Sequence, residues 1–376
     1  MNDNGAIRIL HVRTVRGTGG GPDKTTLNGC RHLRQSGHIA EAFYILDRRE
    51  DTGRLQQWAR DLGVTMHVAH ESWPLSLRTV WSLRNVLDRG DYDIVHTHEY
   101  KSNALVRLLR GRRRHRVVAT AHGYNRTTFR EGFYYALEWR IFRGVDAIIA
   151  PTREIADFLV GKGVREEKIH VIHNGIEVAG RQRPAPVPGE GALRLLYLGR
   201  LSPEKDPANL LAAIGLLRSR GLALRATLAG DGPERAALEQ QVRALGLSEV
   251  VELPGFVPDI MPLLAKADIL VNPSRTEGMP NAVLEAMWAG VTVCATGVGG
   301  VPEMIRDGVD GLLCPPRDPQ ALADKIAKLA GDANLRKQMA DRAYDRVTSE
   351  FSFERRMERV LDLYRRVLGG SQRERT

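Results

Sequence analysis

Short runs of apolar and β-branched residues recur along the chain, each followed by a longer stretch in which apolar positions return every three or four residues. In the first half the runs are IRILHV, EAFYIL, VTMHV, YDIVH, HRVVAT, DAIIAP and IHVIH; later they are LRLLYLG, LRATLAG, VVELPG, DILVNP, VTVCA and GLLCP. Such alternation predicts parallel strands joined by crossover helices. It breaks at EVAGRQRPAPVPGEGA, residues 177–192, where prolines and glycines cluster as in a linker. The pattern therefore predicts an α/β protein of two Rossmann-like, doubly wound domains: residues 1–178, a hinge over 179–192, and residues 193–350. A long amphipathic helix, FSFERRMERVLDLYRRVLGG, follows from about residue 351. Sheets of this kind bind ligands at the carboxyl ends of their strands, and a cleft between two such domains is the expected active site.

Length supports two domains, because 376 residues exceed the size at which single cores usually stop growing. Composition is that of a globular chain, with 43% hydrophobic and 27% charged residues and no apolar run long enough to span a bilayer. MNDNGAIRILHV leads straight into a strand without the pattern of a signal peptide, so the expected location is the cytoplasm. Cys30, Cys294 and Cys314 stand apart and form no CxxC pair, which argues against a disulfide framework or a zinc site.

The formal net charge of +10 draws attention to RLLRGRRRHR, with Arg107, Arg110, Arg112, Arg113, Arg114 and Arg116. No aromatics interleave with these arginines and no nucleic-acid module surrounds them, so nucleic acid is not an expected partner. The alternatives are a solvated helix end and a patch for an anionic membrane surface. The stretch EGFYYALEWRIFRG carries Phe133, Tyr134, Tyr135, Trp139 and Phe142, read either as core packing or as contact with a lipid-linked acceptor.

The loop GTGGGPDKTT, with Gly17, Gly19, Gly20 and Gly21, suggests a phosphate site. A Walker loop requires Gly before the Lys, but Asp23 stands there and would oppose a phosphate. A dinucleotide fingerprint requires a third glycine for helix packing where this chain has Pro22; Asp47 remains a candidate ribose acid in that alternative. What fits is a glycine-rich loop ahead of a helix whose free amides let an anionic ligand approach closely.

The second half is more specific. TEGMPNAVLEAMWAG follows the strand DILVNP, and Pro280 suits a first helical turn. Glu277 lies just before that helix and Glu285 within it, eight residues on, near one face. Amides around Gly278, Met279 and Asn281 are expected to be unpaired at the helix start, ready for a diphosphate or a sugar oxygen.

Together GRLSPEKDP, AGDGPE, LPGFV, PSRTEGMPNAVLEAMWAG, GVGGVPEMIRDGVDGLLCPPRD and the glycine loop resemble the retaining glycosyltransferases of family four, which have the GT-B fold. The match runs through almost the whole chain in order. The resemblance implies that the first domain binds an acceptor and the second a nucleotide-sugar donor, uridine diphosphate being favoured as its carrier. It implies that Arg200 and Lys205 neutralise the donor diphosphate, that Glu285 holds the ribose, and that Glu277 with the following amides grips the sugar. Gly255 and Phe256 of LPGFV would line the donor, and His122 in TAHGY would approach the reacting carbon. His96 and His98 in IVHTHEY are read as structural or acceptor-side. The last helix would return to the first domain. The implied acceptor is a glycan or a lipid-linked molecule in polysaccharide or glycolipid synthesis.

No metal or other cofactor is expected. The pair Asp91 and Asp93 in DYD precedes a strand, on the sheet edge opposite the ligand crevice, so it is not read as a metal-holding Asp-x-Asp. Two other functions fit the same residues: a GT-B nucleotide-sugar epimerase, which needs no acceptor, and a non-catalytic nucleotide-sugar-binding protein.

Overall fold

The computed structural model describes residues 5–15, 21–47, 53–71, 76–109, 115–121, 140–178, 180, 182–187 and 191–373. The chain divides into two compact units, Met1–Ile172 with Arg356–Thr376, and His173–Arg355.

The first unit is a seven-stranded parallel sheet: β1 (Arg8–Val15), β2 (Ile39–Asp47), β3 (Thr65–Glu71), β4 (Ile94–Thr97), β5 (Arg116–Thr120), β6 (Ala147–Ala150) and β7 (Ile169–Val171), in the order β3-β2-β1-β4-β5-β6-β7. The second has six strands, β8 (Leu193–Leu198), β9 (Leu224–Ala229), β10 (Val251–Gly255), β11 (Ile269–Asn272), β12 (Thr292–Thr296) and β13 (Leu312–Cys314), in the order β10-β9-β8-β11-β12-β13. Each sheet reverses its winding once, between β1 and β4 and between β8 and β11. Connections leave those strands in opposite directions, which opens a crevice at their carboxyl ends.

Strand periodicity sets the layers of the second unit. Leu195 and Tyr197 join a core with Leu210, Leu211 and Ile214 of the helix Pro207–Ser219. Leu196, between them, faces a separate core with Val283, Leu284 and Met287 of the helix Asn281–Ala289. Successive side chains of one strand thus bury in opposite layers, which explains why its sequence is apolar throughout. In the first unit Leu10, Val12, Phe43, Ile45 and Val95 lie in one buried layer.

The passage between units falls at Ile172/His173, ahead of the proline-rich stretch read as a hinge. That stretch belongs to the second unit: Val187 N donates to Ala265 O at 2.8 Å, Arg194 Nη1 to Val187 O at 2.7 Å, and the Arg183 guanidinium lies 4.9 Å from the Tyr344 ring. Proline excludes a segment from helix and sheet interiors, but a strap on a domain surface satisfies that exclusion as well as a linker does.

The helix Phe353–Arg373 belongs to the first unit from Arg356 onward. It buries Met357, Val360, Leu363 and Tyr364 at helical spacing, and the Tyr364 hydroxyl lies 2.6 Å from Nδ1 of His96 on β4. No described helix is long and apolar enough to cross a membrane.

Candidate active site

At the β8–β11 switch point, loops leaving β8, β9, β11 and β12 meet. Lys205 Nζ donates to both oxygens of Glu277, at 2.8 and 2.7 Å. Ser274 Oγ lies 2.7 Å and Asn272 Nδ2 3.4 Å from Glu277 Oε1. The Glu277 side chain is 5% exposed and that of Lys205 29%. A buried carboxylate is thus held from several directions, while among the described residues Lys205 keeps one of its three donors for an incoming anion. Asp206, left-handed at φ 47° before the helix Pro207–Ser219, gives both carboxylate oxygens to Arg275 at 2.7 and 2.8 Å. Those bonds offset a backbone cost of roughly 1–2 kcal/mol. Burial pushes the Glu204 carboxyl up, but the Ser202 hydroxyl at 2.6 Å and the positive charges of Arg200 and Lys205 hold it below its ordinary value.

Close backbone contacts set the frame. Gly299 has φ +57°, and a Cβ there would lie 1.8 Å from the Glu277 carbonyl oxygen. Its neighbour Gly300 donates N–H to Gly278 O at 2.8 Å. At Gly230, φ +152°, a Cβ would lie 1.7 Å from Gly199 O. Only glycine permits these approaches. Gly278, in contrast, has nothing within 4 Å of its would-be Cβ. The amides of Gly278 and Met279 donate to no group among the described residues, and the helix Asn281–Ala289 begins just beyond. Carboxylate, ammonium and free amides therefore stand beside open space, a combination able to take sugar hydroxyls and phosphate oxygens.

The remaining expected residues divide clearly. Arg200 is exposed on the β8 loop, and its carbonyl accepts from the Tyr197 hydroxyl at 2.7 Å. Gly255 ends β10 with φ +83°, its carbonyl accepting from Gly230 N at 2.8 Å; Phe256 follows, 70% exposed. Met279 is buried, with its Sδ 3.0 Å from Asn174 N. Glu285 is half-buried on its helix, two turns beyond Glu277. His122, Gly17, Gly19 and Gly20 lie outside the described residues, as do Arg110, Arg112, Arg113, Arg114, Phe133, Tyr134, Tyr135 and Trp139. Gly21 opens the helix Gly21–Gln35, and β5 ends at Thr120, two residues before His122. Phe142 is fully buried in the core.

Sequence reasoning missed Asn272, Ser274, Thr296, Gly299 and Gly300. Thr296 Oγ1 donates to Ser274 O at 2.5 Å and so couples the ends of β11 and β12. The available signal was polar residues closing two apolar strands, NPS and CAT, and the paired glycines of GVGG.

The first unit fills its β1–β4 switch point with its own side chains. Arg13 is ion-paired to Asp23 and to Glu99, and Glu99 Oε2 accepts from Thr14 N at 3.0 Å. Burial pushes the Glu99 carboxyl up to about 7 although Arg13 opposes it. His11 Nδ1 lies 3.0 Å from His98 Nε2; both nitrogens of His96 meet hydroxyls, Tyr364 at 2.6 Å and Thr120 at 2.7 Å. One ring nitrogen from each of these histidines lies within 4.8 Å of the others. Burial and the Arg356 charge press the His11 pKa down to about 3, so His11 is neutral beside that cation. Arg356 is itself 7% exposed; among the described residues its Nε has no partner, and its Nη1 lies 3.7 Å from Met357 Sδ. Burial lowers this guanidinium to about 10. Asp93 Oδ2 accepts from Arg8 N at 2.8 Å, at the amino end of β1.

Comparison with known proteins adds to this geometry. A family model described as "Glycosyl transferases group 1" matches residues 180–346, and one described as "Glycosyltransferase Family 4" matches residues 19–179. The chain is 31% identical over 329 residues to EpsD of Bacillus subtilis, which carries a glycosyltransferase name, covering 81% of this chain and 84% of that one. With WcaL of Salmonella typhimurium, named for colanic acid biosynthesis, it shares 29% over 256 residues, 65% of this chain and 62% of WcaL. The crystal structure of Anabaena HepE in complex with UDP superposes with a TM-score of 0.82 at 21% identity, covering 95% of this chain and 99% of HepE. The structural likeness shows the GT-B fold.

Proposed function

We propose a particular reaction from one premise: the chain belongs to the group 1, family 4 glycosyltransferases and is a glycosyltransferase. The reaction is retaining transfer of a sugar from a uridine diphosphate donor to a glycan or lipid-linked acceptor in polysaccharide synthesis. The observation that carries this reading is the Lys205–Glu277 pair beside the free amides of Gly278 and Met279. UDP and UDP-glucose bind HepE, and WcaL is named for a polysaccharide, which supports the choice of donor and product class.

Transfer expels a nucleoside diphosphate, so positive groups near the leaving phosphates lower the barrier directly. Arg200 and the spare Lys205 donor fill that role, with the amide dipoles at the start of the helix Asn281–Ala289. Glu277, oriented by Lys205 and Ser274, accepts from sugar hydroxyls, and Glu285 takes the ribose. Gly255 and Phe256 complete the donor side. His122 takes the reacting end of the sugar, and the glycine loop approaches the acceptor. Asp93 is engaged with the start of β1, so the DYD sequence is assigned no metal and the reaction no divalent cation. The enzyme works in the cytoplasm against the inner membrane face, the arginine run adding attraction to anionic lipid.

Donor turnover and binding in excess EDTA test the assignment. Wild-type activity should persist, Glu285→Ala should weaken donor binding by about 1–3 kcal/mol, and Glu277→Ala should lower turnover more than affinity. Activity abolished by EDTA and restored by magnesium or manganese would overturn the metal-free mechanism. Full donor affinity and turnover in both variants would overturn the carboxylate roles.

A further inference from the structure

We infer that the outward face of the helix Leu77–Gly90 in the first unit docks on an anionic phospholipid surface. This helix buries Thr79, Leu83 and Leu87 against the sheet. Its opposite side carries Leu77, 86% exposed, and Trp81, 67% exposed, one turn apart and therefore adjacent on one face. Helical geometry sets Arg84 on one side of that stripe and Arg78 on the other, and both are exposed, as is Arg89. The same face holds one acid, Asp88, whose carboxylate lies 3.6 Å from Arg84.

A cavity of about 320 Å³ opens beside the stripe, between the helix and the end of β3, with Val68, His70, Arg78, Thr79 and Trp81 in its lining. The Trp81 ring gives it an apolar wall, and Arg78 and His70 offer nitrogen donors. Glu71, which accepts from Thr79 Oγ1 at 3.4 Å, is ion-paired with Lys101, so that carboxylate's charge is already balanced. Apolar residues flanked by arginine, next to a cationic recess, complement a bilayer boundary: Leu77 and Trp81 enter among acyl chains, and Arg78 meets a lipid phosphate. A protein partner would supply acids for these arginines and a pocket for Trp81; the anionic bilayer offers both chemistries in one continuous surface. The helix Leu77–Gly90 does not include the run Arg110–Arg116. Its use in bringing the enzyme to a lipid-linked acceptor rests on the reading of the preceding section, whereas the docking itself does not.

Co-sedimentation with vesicles of phosphatidylcholine alone, and of phosphatidylcholine with phosphatidylglycerol, tests the inference at low salt. The intact chain should bind the anionic vesicles, and Leu77→Ser with Trp81→Ser should lower that partition about tenfold or more. Arg78→Ser should reduce the preference for phosphatidylglycerol. Absence of wild-type binding, or unchanged binding by the Leu77/Trp81 double variant, would overturn it; loss confined to Arg112→Ser, Arg113→Ser and Arg114→Ser would likewise place the contact elsewhere. The Leu77, Trp81 and Arg78 variants replace exposed side chains outside the transfer site, so their melting temperatures and vesicle-free donor hydrolysis should match the wild type. Donor hydrolysis without vesicle binding sinks only the docking face, and vesicle binding without donor hydrolysis sinks only the transfer reading.

Discussion

The two sheets share a topology and use their switch points in opposite ways. In the second unit, backbone builds the crevice: Gly299 and Gly230 bring loops within a distance that no side chain allows, and Gly278 is left beside open space. In the first unit, side chains fill it: Arg13, Asp23, Glu99, His11, His98 and Arg356 are buried or nearly so at the ends of β1 and β4 or against them. A crevice framed by backbone keeps its shape when a charged ligand enters, because its contacts do not titrate. A crevice filled with ionisable groups ties stability to charge, since a buried ion that is neither paired nor neutral costs stability.

The sharpest way to break the contrast is to add a methyl group in the second unit. Gly299→Ala puts Cβ against the Glu277 carbonyl and keeps alanine in the left-handed region, so the Glu277–Gly278 segment must move. A displacement of ~1 Å can lower turnover about 10²-fold, and the left-handed backbone adds about 1 kcal/mol or more of destabilisation. Gly278→Ala is the matched control. With no neighbour within 4 Å it should keep the wild-type urea midpoint and lose only donor affinity. Equal turnover in Gly299→Ala and wild type would show that backbone approach does not position the carboxylate.

That same contrast governs what the sequence revealed. The strands were legible because they are buried on both faces, and an apolar run such as LRLLYLG admits few other structures. Lys205 and Glu277 were legible because backbone-built loops need glycine and proline at fixed places, and those residues frame the charged ones. Their direct pairing was not legible, since 72 positions separate them and only the adjacency of β8 and β11 brings them together. The first unit's charged cluster was hidden for another reason. Arg13 and His11 sit inside an apolar strand with no punctuation, and Arg356 reads as a routine charge on an amphipathic helix. The compact units part at Ile172/His173, ahead of the proline-rich stretch, because proline reports what a segment does not form, not where it packs.

The filled switch point makes its own prediction at Arg356. Among the described residues no carboxylate pairs with this buried guanidinium, and its Nε is unsatisfied. Arg356→Met retains most of the packed volume while removing the charge, so it should stabilise the protein by on the order of 1–4 kcal/mol, the range for buried ion pairs replaced by apolar residues. Urea unfolding measures it directly. A lower midpoint in the methionine variant would mean that the guanidinium has compensation and that the first unit is less strained electrostatically than the second is sterically.

The smallest effect is the most diagnostic of a switch point built from ionisable groups. Glu99 is raised from 4.5 to about 7 in the folded protein, so folding favours its protonated form; this contribution is full below pH 4.5 and is lost as pH rises through 7. His11 is lowered from 6.5 to about 3, so its contribution is full above pH 6.5 and is lost as pH falls toward 3. Between pH 4.5 and 6.5 the two slopes oppose each other: the folded state holds a proton on Glu99 that the unfolded state lacks, and the unfolded state binds one at His11 that the folded state refuses. Glu99→Gln removes one side of that balance and keeps a polar partner for Arg13. Across this window its stability relative to wild type should therefore fall on acidification, by no more than about 1.4 kcal/mol per pH unit, the limit for one proton. Urea midpoints at a series of pH values give the difference. A difference independent of pH would show that Glu99 titrates in the folded protein as it does in the unfolded chain, and that burial at the first switch point has no electrostatic consequence.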